Sequence, residues 1–197
     1  MSVIQRQEYY KDPPKRQIID GVITMMSPSA GVYHNFAVVN LTLILGNHLK
    51  DSVCRLFVDG ADVFLSEGNT YVPDLAVVCD KSKYEGKKGI HGAPDLVVEV
   101  LSPSTTLHDR GRKKEVYGQA GVREYWLVDV NNLLVEIYLL EGDTLAFAHV
   151  YHLLDNEEIN QLKIEGKEIP PEHFTVTIFP DLTISLHDVF KNIFEEK

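Results

Sequence analysis

The sequence predicts an α/β fold: a mixed central sheet flanked by helices, with added β-hairpins toward the C-terminus. Three observations carry that expectation. First, residues 95–101 and 124–130 are branched, apolar runs of strand length, and the stretch between them reads as a helix closed by Gly121. Such a strand–helix–strand unit implies a right-handed crossover and parallel pairing. Second, the apolar runs 54–65 and 71–79 flank Ser66-Glu67-Gly68-Asn69-Thr70, a turn composition that predicts an antiparallel hairpin and makes the sheet mixed. Third, residues 31–49 predict a helix that is apolar nearly all round, and hence buried.

The remaining elements follow in chain order. Asp20-Gly21 between the apolar runs of 17–25 signals a type I′ hairpin. Ser27-Pro28-Ser29 offers caps for the helix over 31–49, and Ser102-Pro103-Ser104-Thr105 ends a strand and starts the helix over 106–120. A lysine-rich loop spans 80–94. After Asn131-Asn132 the pattern is strand over 133–140, turn at Gly142-Asp143, and strand over 145–151. More hairpin material follows, ending in a short helix near 186–194. Neither an internal repeat nor a linker interrupts the 197 residues, so one domain, 1–197, is expected.

Composition narrows the class. Hydrophobic residues make up 44% and charged residues 24%, ordinary for a globular chain. The sequence begins without a signal-peptide pattern and holds no apolar run of about 20 residues, so a cytoplasmic protein is expected. Cys54 and Cys79 lack CxxC spacing and sit in apolar runs, which predicts buried free thiols in a reducing compartment. The net charge of −10 opposes tight nonspecific nucleic-acid binding, but it is unevenly spread. Residues 155–197 hold ten acids against four lysines, whereas 81–114 hold eight basic residues against four acids.

The chemistry-bearing residues lie in the strands. Asp74 follows Pro73 at the head of an apolar run, and Glu99 is enclosed by Val97-Val98 and Val100-Leu101. A carboxylate in such a place is costly unless it is paired or binds a cation. Two of them on neighbouring strands suit Mg²⁺, which takes one or two carboxylates plus waters and phosphate oxygens. Lys113 shares a helix face with Val116, Tyr117 and Ala120, so it is expected to point at the sheet, while Lys114 is expected in solvent. Pairing of Lys113 with Asp109 at i−4 is compatible with that role. His34, Asp62 and Asp95 are candidates to support the site from behind, Asp95 on the same strand face as Glu99. The histidines form no HxxxH or HxH pair, and GxSxG, P-loop and GxGxxG motifs are absent. A zinc site, a serine hydrolase, an NTPase and a dinucleotide enzyme are thereby disfavoured.

Several segments carry a family resemblance. They are Met25-Met26-Ser27-Pro28, Val72-Pro73-Asp74-Leu75, the run from Gly92-Ala93-Pro94-Asp95 through Glu99 to Ser104-Thr105, and Tyr117-Gly118-Gln119-Ala120-Gly121-Val122-Arg123-Glu124-Tyr125-Trp126. Together they resemble the Uma2 family (DUF820) of restriction-endonuclease-like proteins, over about residues 18–190. The resemblance implies the PD-(D/E)XK nuclease fold and Mg²⁺ (or Mn²⁺) as cofactor. Pro73-Asp74 then stands at the PD element and Glu99 at the (D/E) position, with Asp74, Glu99 and Val100 as metal-contacting positions. Val100-Leu101 leaves no lysine two residues after Glu99, and Lys113 from the following helix takes that place.

The expected function is therefore a metal-dependent endonuclease hydrolysing DNA phosphodiester bonds, with Asp74, Glu99 and Lys113 as its catalytic residues. The alternatives are a non-catalytic nucleic-acid-binding or assembly protein retaining the fold, and a hydrolase of another phosphoester. A homodimer is expected through the hairpins after 131, whose Leu133, Val135, Ile137, Tyr138, Leu145, Phe147 and Val150 need cover as two-stranded units do, the alternative being that they pack on their own core.

Overall fold

A computed structural model describes residues 16–25, 31–66, 68–102 and 106–193. The proposed helix caps at Ser27-Pro28-Ser29 and Ser104-Thr105 lie outside the described residues.

The central sheet has six strands. They are β3 (Arg55–Val58), β6 (Leu75–Val78), β8 (Leu96–Val100), β9 (Glu124–Asp129), β10 (Leu134–Glu141) and β11 (Thr144–His152), in the order β11-β10-β9-β8-β6-β3. Only β8 and β9 pair in parallel, so the sheet is mixed as the sequence predicts. A smaller sheet orders β2 (Val22–Met25), β1 (Arg16–Ile19), β5 (Asn69–Tyr71), β4 (Val63–Ser66) and β7 (Ile90–His91). A third is the hairpin of β12 (His173–Val176) and β13 (Phe179–Ser185). Asp20 and Gly21 both have positive φ, 49° and 78°, as the β1–β2 turn requires.

The apolar runs 54–65 and 71–79 do not form one hairpin of two long strands. Each is split between the two larger sheets. Asp59 and Gly60, at φ 23° and 118°, turn the chain out of β3, and Pro73, which has no N–H to give a ladder, stands between β5 and β6.

Helix α1 (Val32–His48) packs on one face of the central sheet through Ala37, Leu41 and Leu45, joining Leu75, Val77, Leu96, Val98 and Trp126. Helix α2 (Lys114–Ala120) covers the other face, where Val116 and Tyr117 meet Val97, Tyr125 and Leu127. Before α2 the chain makes a single helical turn, Thr106–His108, then a wide π-type turn, Asp109–Lys113, kinked at Gly111. Gly121, at φ 95°, closes α2 as predicted.

Three expectations are corrected here. Helix α1 is buried along one stripe only; Val32, Tyr33, Phe36, Val39 and Leu43 are exposed. All-round apolarity gives no facing direction, and the sheet covers just one side. In the β10–β11 hairpin, Val135, Ile137, Tyr138 and Leu145 pack into the chain's own core, leaving Phe147 and Val150 exposed. Most of the surface argued to need a second copy is thus already covered. Cys54 and Cys79 are joined in a disulfide rather than free, because they extend the antiparallel Arg55↔Val78 pair by one step and so stand opposite each other.

The C-terminal part also holds a helix not expected from the sequence, α3 (Asn156–Ile164), capped by Asp155 and Glu158 in a reciprocal box. The short terminal helix is α4 (Leu186–Val189). No helix among the described residues is long and apolar enough to cross a membrane.

Candidate active site

β6 and β8 pair antiparallel with Leu75 opposite Val98 and Ala76 opposite Val97. Continuing that register by one step sets Asp74 opposite Glu99, and directly opposed side chains of an antiparallel pair share a face, with Cβ atoms ~4.5–5.5 Å apart. Both acids lie on the α2 side of the sheet, since Leu75, Val77, Val98 and Val100 point into the α1 core.

Lys113 enters from the π-type turn and is buried with Glu99 and Asp109. Its Nζ lies 2.7 Å from Glu99 Oε1 and 3.3 Å from Asp109 Oδ1, and 5.9 Å from the ring centre of Tyr71. Tyr117 Oη donates to the same Glu99 Oε1 at 3.3 Å, and Tyr125 Oη donates to the Asp109 carbonyl at 3.0 Å. Burial pushes the Glu99 carboxyl well above the usual range, with Asp109 and Asp74 adding to the rise and Lys113 opposing it. Burial works against the Lys113 charge, but Glu99 and Asp109 outweigh it and hold the ammonium protonated beyond an ordinary lysine.

Asp74 is fixed from two sides. Its Oδ2 accepts the Val100 N–H at 2.7 Å and lies 3.3 Å from His34 Nε2, in the first turn of α1. Burial alone would lower the His34 pKa; the hydrogen bond and charge of Asp74, with help from Asp59 and the Val100 backbone, raise it above the ordinary value. Burial likewise pushes the Tyr71 phenol up to about 12.

The structure therefore brings Asp74, Glu99, Lys113, Val100 and His34 together. It does not bring in Asp95, which is four residues from Glu99 and so about 13 Å along the strand at ~3.3 Å per residue. Asp95 Oδ2 instead accepts the Cys79 N–H at 2.8 Å, and Oδ1 lies 3.4 Å from Arg123. Asp62 contributes its backbone: its carbonyl accepts the Ile90 N–H at 2.8 Å, on the β4–β7 side. Lys114 is not free in solvent, as its Nζ sits 4.4 Å from the Tyr138 ring centre. Sequence reasoning missed Asp59, Tyr71 and the phenol of Tyr117 as members of the cluster. Asp109 was legible only as the i−4 partner of Lys113.

The donor set was tested for a divalent cation. Among the described residues, Asp74 Oδ1 and Glu99 Oε2 accept no hydrogen bond, and the Lys113 ammonium bridges Glu99 and Asp109. Among the described residues, no group of three or more His, Cys, Asp or Glu side chains is placed to hold a metal ion, so a cation here would rest on two carboxylates. Two open carboxylate oxygens on adjacent strands fit a hard cation that keeps most of its waters. Four buried polar atoms, Gln17 Oε1, His34 Nδ1, Tyr71 Oη and His108 Nε2, have no partner among the described residues.

Comparison with known proteins agrees with this architecture. A solved structure described as a "putative nuclease belonging to DUF820" from Anabaena variabilis ATCC 29413 superposes with a TM-score of 0.69 at 17% identity, covering 98% of this chain and 99% of that one. "Uncharacterized protein slr1290" of Synechocystis sp. (strain ATCC 27184 / PCC 6803 / Kazusa) is 31% identical over 143 residues, 72% of this chain and 68% of its own. "Uncharacterized protein sll1609" of the same organism is 29% identical over 143 residues, 71% and 79% respectively. The model of the Uma2 family, described as "Putative restriction endonuclease", matches residues 5–170, and the chain belongs to that family.

Proposed function

We propose that the chain is a metal-dependent endonuclease that hydrolyses DNA phosphodiester bonds, with Mg²⁺ or Mn²⁺ held by Asp74 and Glu99 beside the Val100 main chain. The observation that carries this reading is Asp74 and Glu99 set opposite each other on one face of β6 and β8, with the Lys113 ammonium bridging Glu99 and Asp109 beside them. Asp74 Oδ1 and Glu99 Oε2 are left open to a cation beside that pair. A cation held by Asp74 and Glu99 would supply polarisation of a phosphate oxygen and a lower pKa for a bound water. His34 and the Val100 N–H fix the Asp74 carboxylate, and Tyr117 fixes Glu99. Lys113 holds Glu99 in place and sets positive charge where charge develops on the phosphate. The reading includes cytoplasmic residence and a homodimer that carries one site for each DNA strand.

A second reading, a non-catalytic nucleic-acid-binding or assembly protein, is favoured by one observation. Basic residues of the 81–114 segment are engaged by carboxylates of this chain, Arg110 with Glu136, Arg112 with Asp20 and Glu115, and Lys81 with Glu85, which favours the assembly arm of this reading over binding to phosphates. Incubation of supercoiled plasmid with Mg²⁺, Mn²⁺ or EDTA separates the two. Nicking that needs metal and is lost in Asp74→Asn and Glu99→Gln supports the nuclease. DNA retention without cleavage in either metal supports the second reading.

A further inference from the structure

Helix α1 carries two apolar stripes on opposite sides. At 100° per residue, the buried Ala37, Leu41 and Leu45 span an arc of about 80°. Val32, Phe36, Val39 and Leu43 fall within an arc of about 60° centred roughly opposite, because their spacings of four, three and four return to one line. They remain exposed by 66%, 37%, 54% and 59%. Over residues 32–48 the helix holds no Asp, Glu, Lys or Arg.

We propose that this outer stripe is the contact surface for a second copy of the chain, two α1 helices packing against each other about a two-fold axis. The proposal gives the dimer of the preceding section a surface, and it stands or falls independently of cleavage. The spacing is that of a coiled-coil seam, in which apolar residues repeat every three and four positions toward a partner helix. A partner selected by charge would find nothing on the stripe to select, whereas an uncharged, self-similar stripe matches itself across a two-fold axis. It is also the surface on which two chains of net charge −10 can approach with least repulsion.

The area supports a second copy. Four side chains exposing on the order of 100 Å² each remove roughly 800 Å² when two stripes meet, most of the ~1,200 Å² at the lower end of specific interfaces. The exposed Tyr33 and Asn35, which flank the stripe on its two sides, can supply the remainder as its rim. The geometry also bears on the site. His34, which contacts Asp74, lies between Val32 and Phe36 in sequence, so antiparallel pairing centred between Phe36 and Val39 offsets the two His34 positions by only about 10 Å along the helices, at 1.5 Å per residue. The two sites themselves face away from the interface, one beyond each α1, because His34 lies about 170° round the helix from the stripe and Asp74 and Glu99 stand on the far side of the sheet.

The test is the mass of the full chain by light scattering and sedimentation at tens of micromolar, with circular dichroism verifying the fold of each variant. Wild type is expected at twice the chain mass, and Leu43→Glu and Val39→Glu at the chain mass. Phe147→Glu, on the exposed part of the β10–β11 hairpin, is expected to stay dimeric. In a second measurement, Val39→Cys under mild oxidation is expected to form a covalent dimer through its new thiol. A monomeric wild type, with the stripe covered by another part of the chain or left for a different partner, overturns the proposal. So does a dimer that survives both α1 variants or is broken by Phe147→Glu. Plasmid nicking by a monomer would sink the interface and leave the nuclease standing; a dimer without nicking would do the reverse.

Discussion

Lys113 Nζ lies 2.7 Å from Glu99 Oε1 and 3.3 Å from Asp109 Oδ1, so one buried ammonium serves two buried carboxylates. That relationship changes what removing the lysine should do. Taking away one partner of a buried ion pair leaves an uncompensated charge and costs about 3–5 kcal/mol. Lys113→Ala is therefore expected to lose cleavage and also to unfold more easily in EDTA, and a divalent cation should stabilise it more than it stabilises wild type. Thermal melts with and without Mg²⁺ read both effects. An unchanged melting temperature in EDTA would contradict the buried pairing.

Much of this cluster was legible in the sequence, for a physical reason. An acid inside a branched apolar strand has few ways to be tolerated, so Asp74 and Glu99 stood out, and the i+3 and i+4 neighbours of Lys113 fixed its face. Asp59 and Tyr71 did not stand out, because each reaches the site only after the chain folds over at Asp59-Gly60 and Pro73. The disulfide was hidden likewise: Cys54 and Cys79 become neighbours only through the register of β3 on β6. Helix α3 had a local signal that went unused, the Asp155-x-x-Glu158 box.

Metal binding should appear as stability. A ligand that binds only the folded state adds about 2.7 kcal/mol at a hundred times its Kd. Titrating Mg²⁺ is expected to raise the melting temperature of wild type, with little or no rise in Asp74→Asn or Glu99→Gln. Equal shifts in all three proteins would place the cation elsewhere.

His34 predicts a pH dependence with a definite sign. Its folded pKa is raised above the unfolded value by Asp74, against the effect of burial. Its contribution is thus fully present below the unfolded value of ~6.5 and is lost as pH rises through the folded one. In EDTA, the stability gap between wild type and His34→Asn is expected to be widest at acid pH and to narrow as pH rises. Denaturant melts across that range give the gap directly; one that is flat or widens with pH would remove the shared proton.

The last prediction concerns the edge of the central sheet. Among the described residues β3 is its terminal strand and pairs with β6 alone, so the Cys54–Cys79 bond clamps an edge strand. The bond closes a loop of sequence separation 25, and closing a loop of that size in the unfolded chain is worth about 3 kcal/mol in the chain-entropy account. Cys54→Ser is therefore expected to lose about that much stability relative to oxidised wild type. Against wild type kept in reductant, where both chains lack the bond, the difference should fall well below that. Denaturant melts of the two proteins, each with and without reductant, supply the four values needed. Because β6 lies between Asp74 and Cys79, looseness at the clamped end should also reach the site. Cys54→Ser is expected to show a smaller Mg²⁺-induced melting shift than oxidised wild type. An equal shift would mean that the Asp74 end of β6 is held by Val100 and His34 alone.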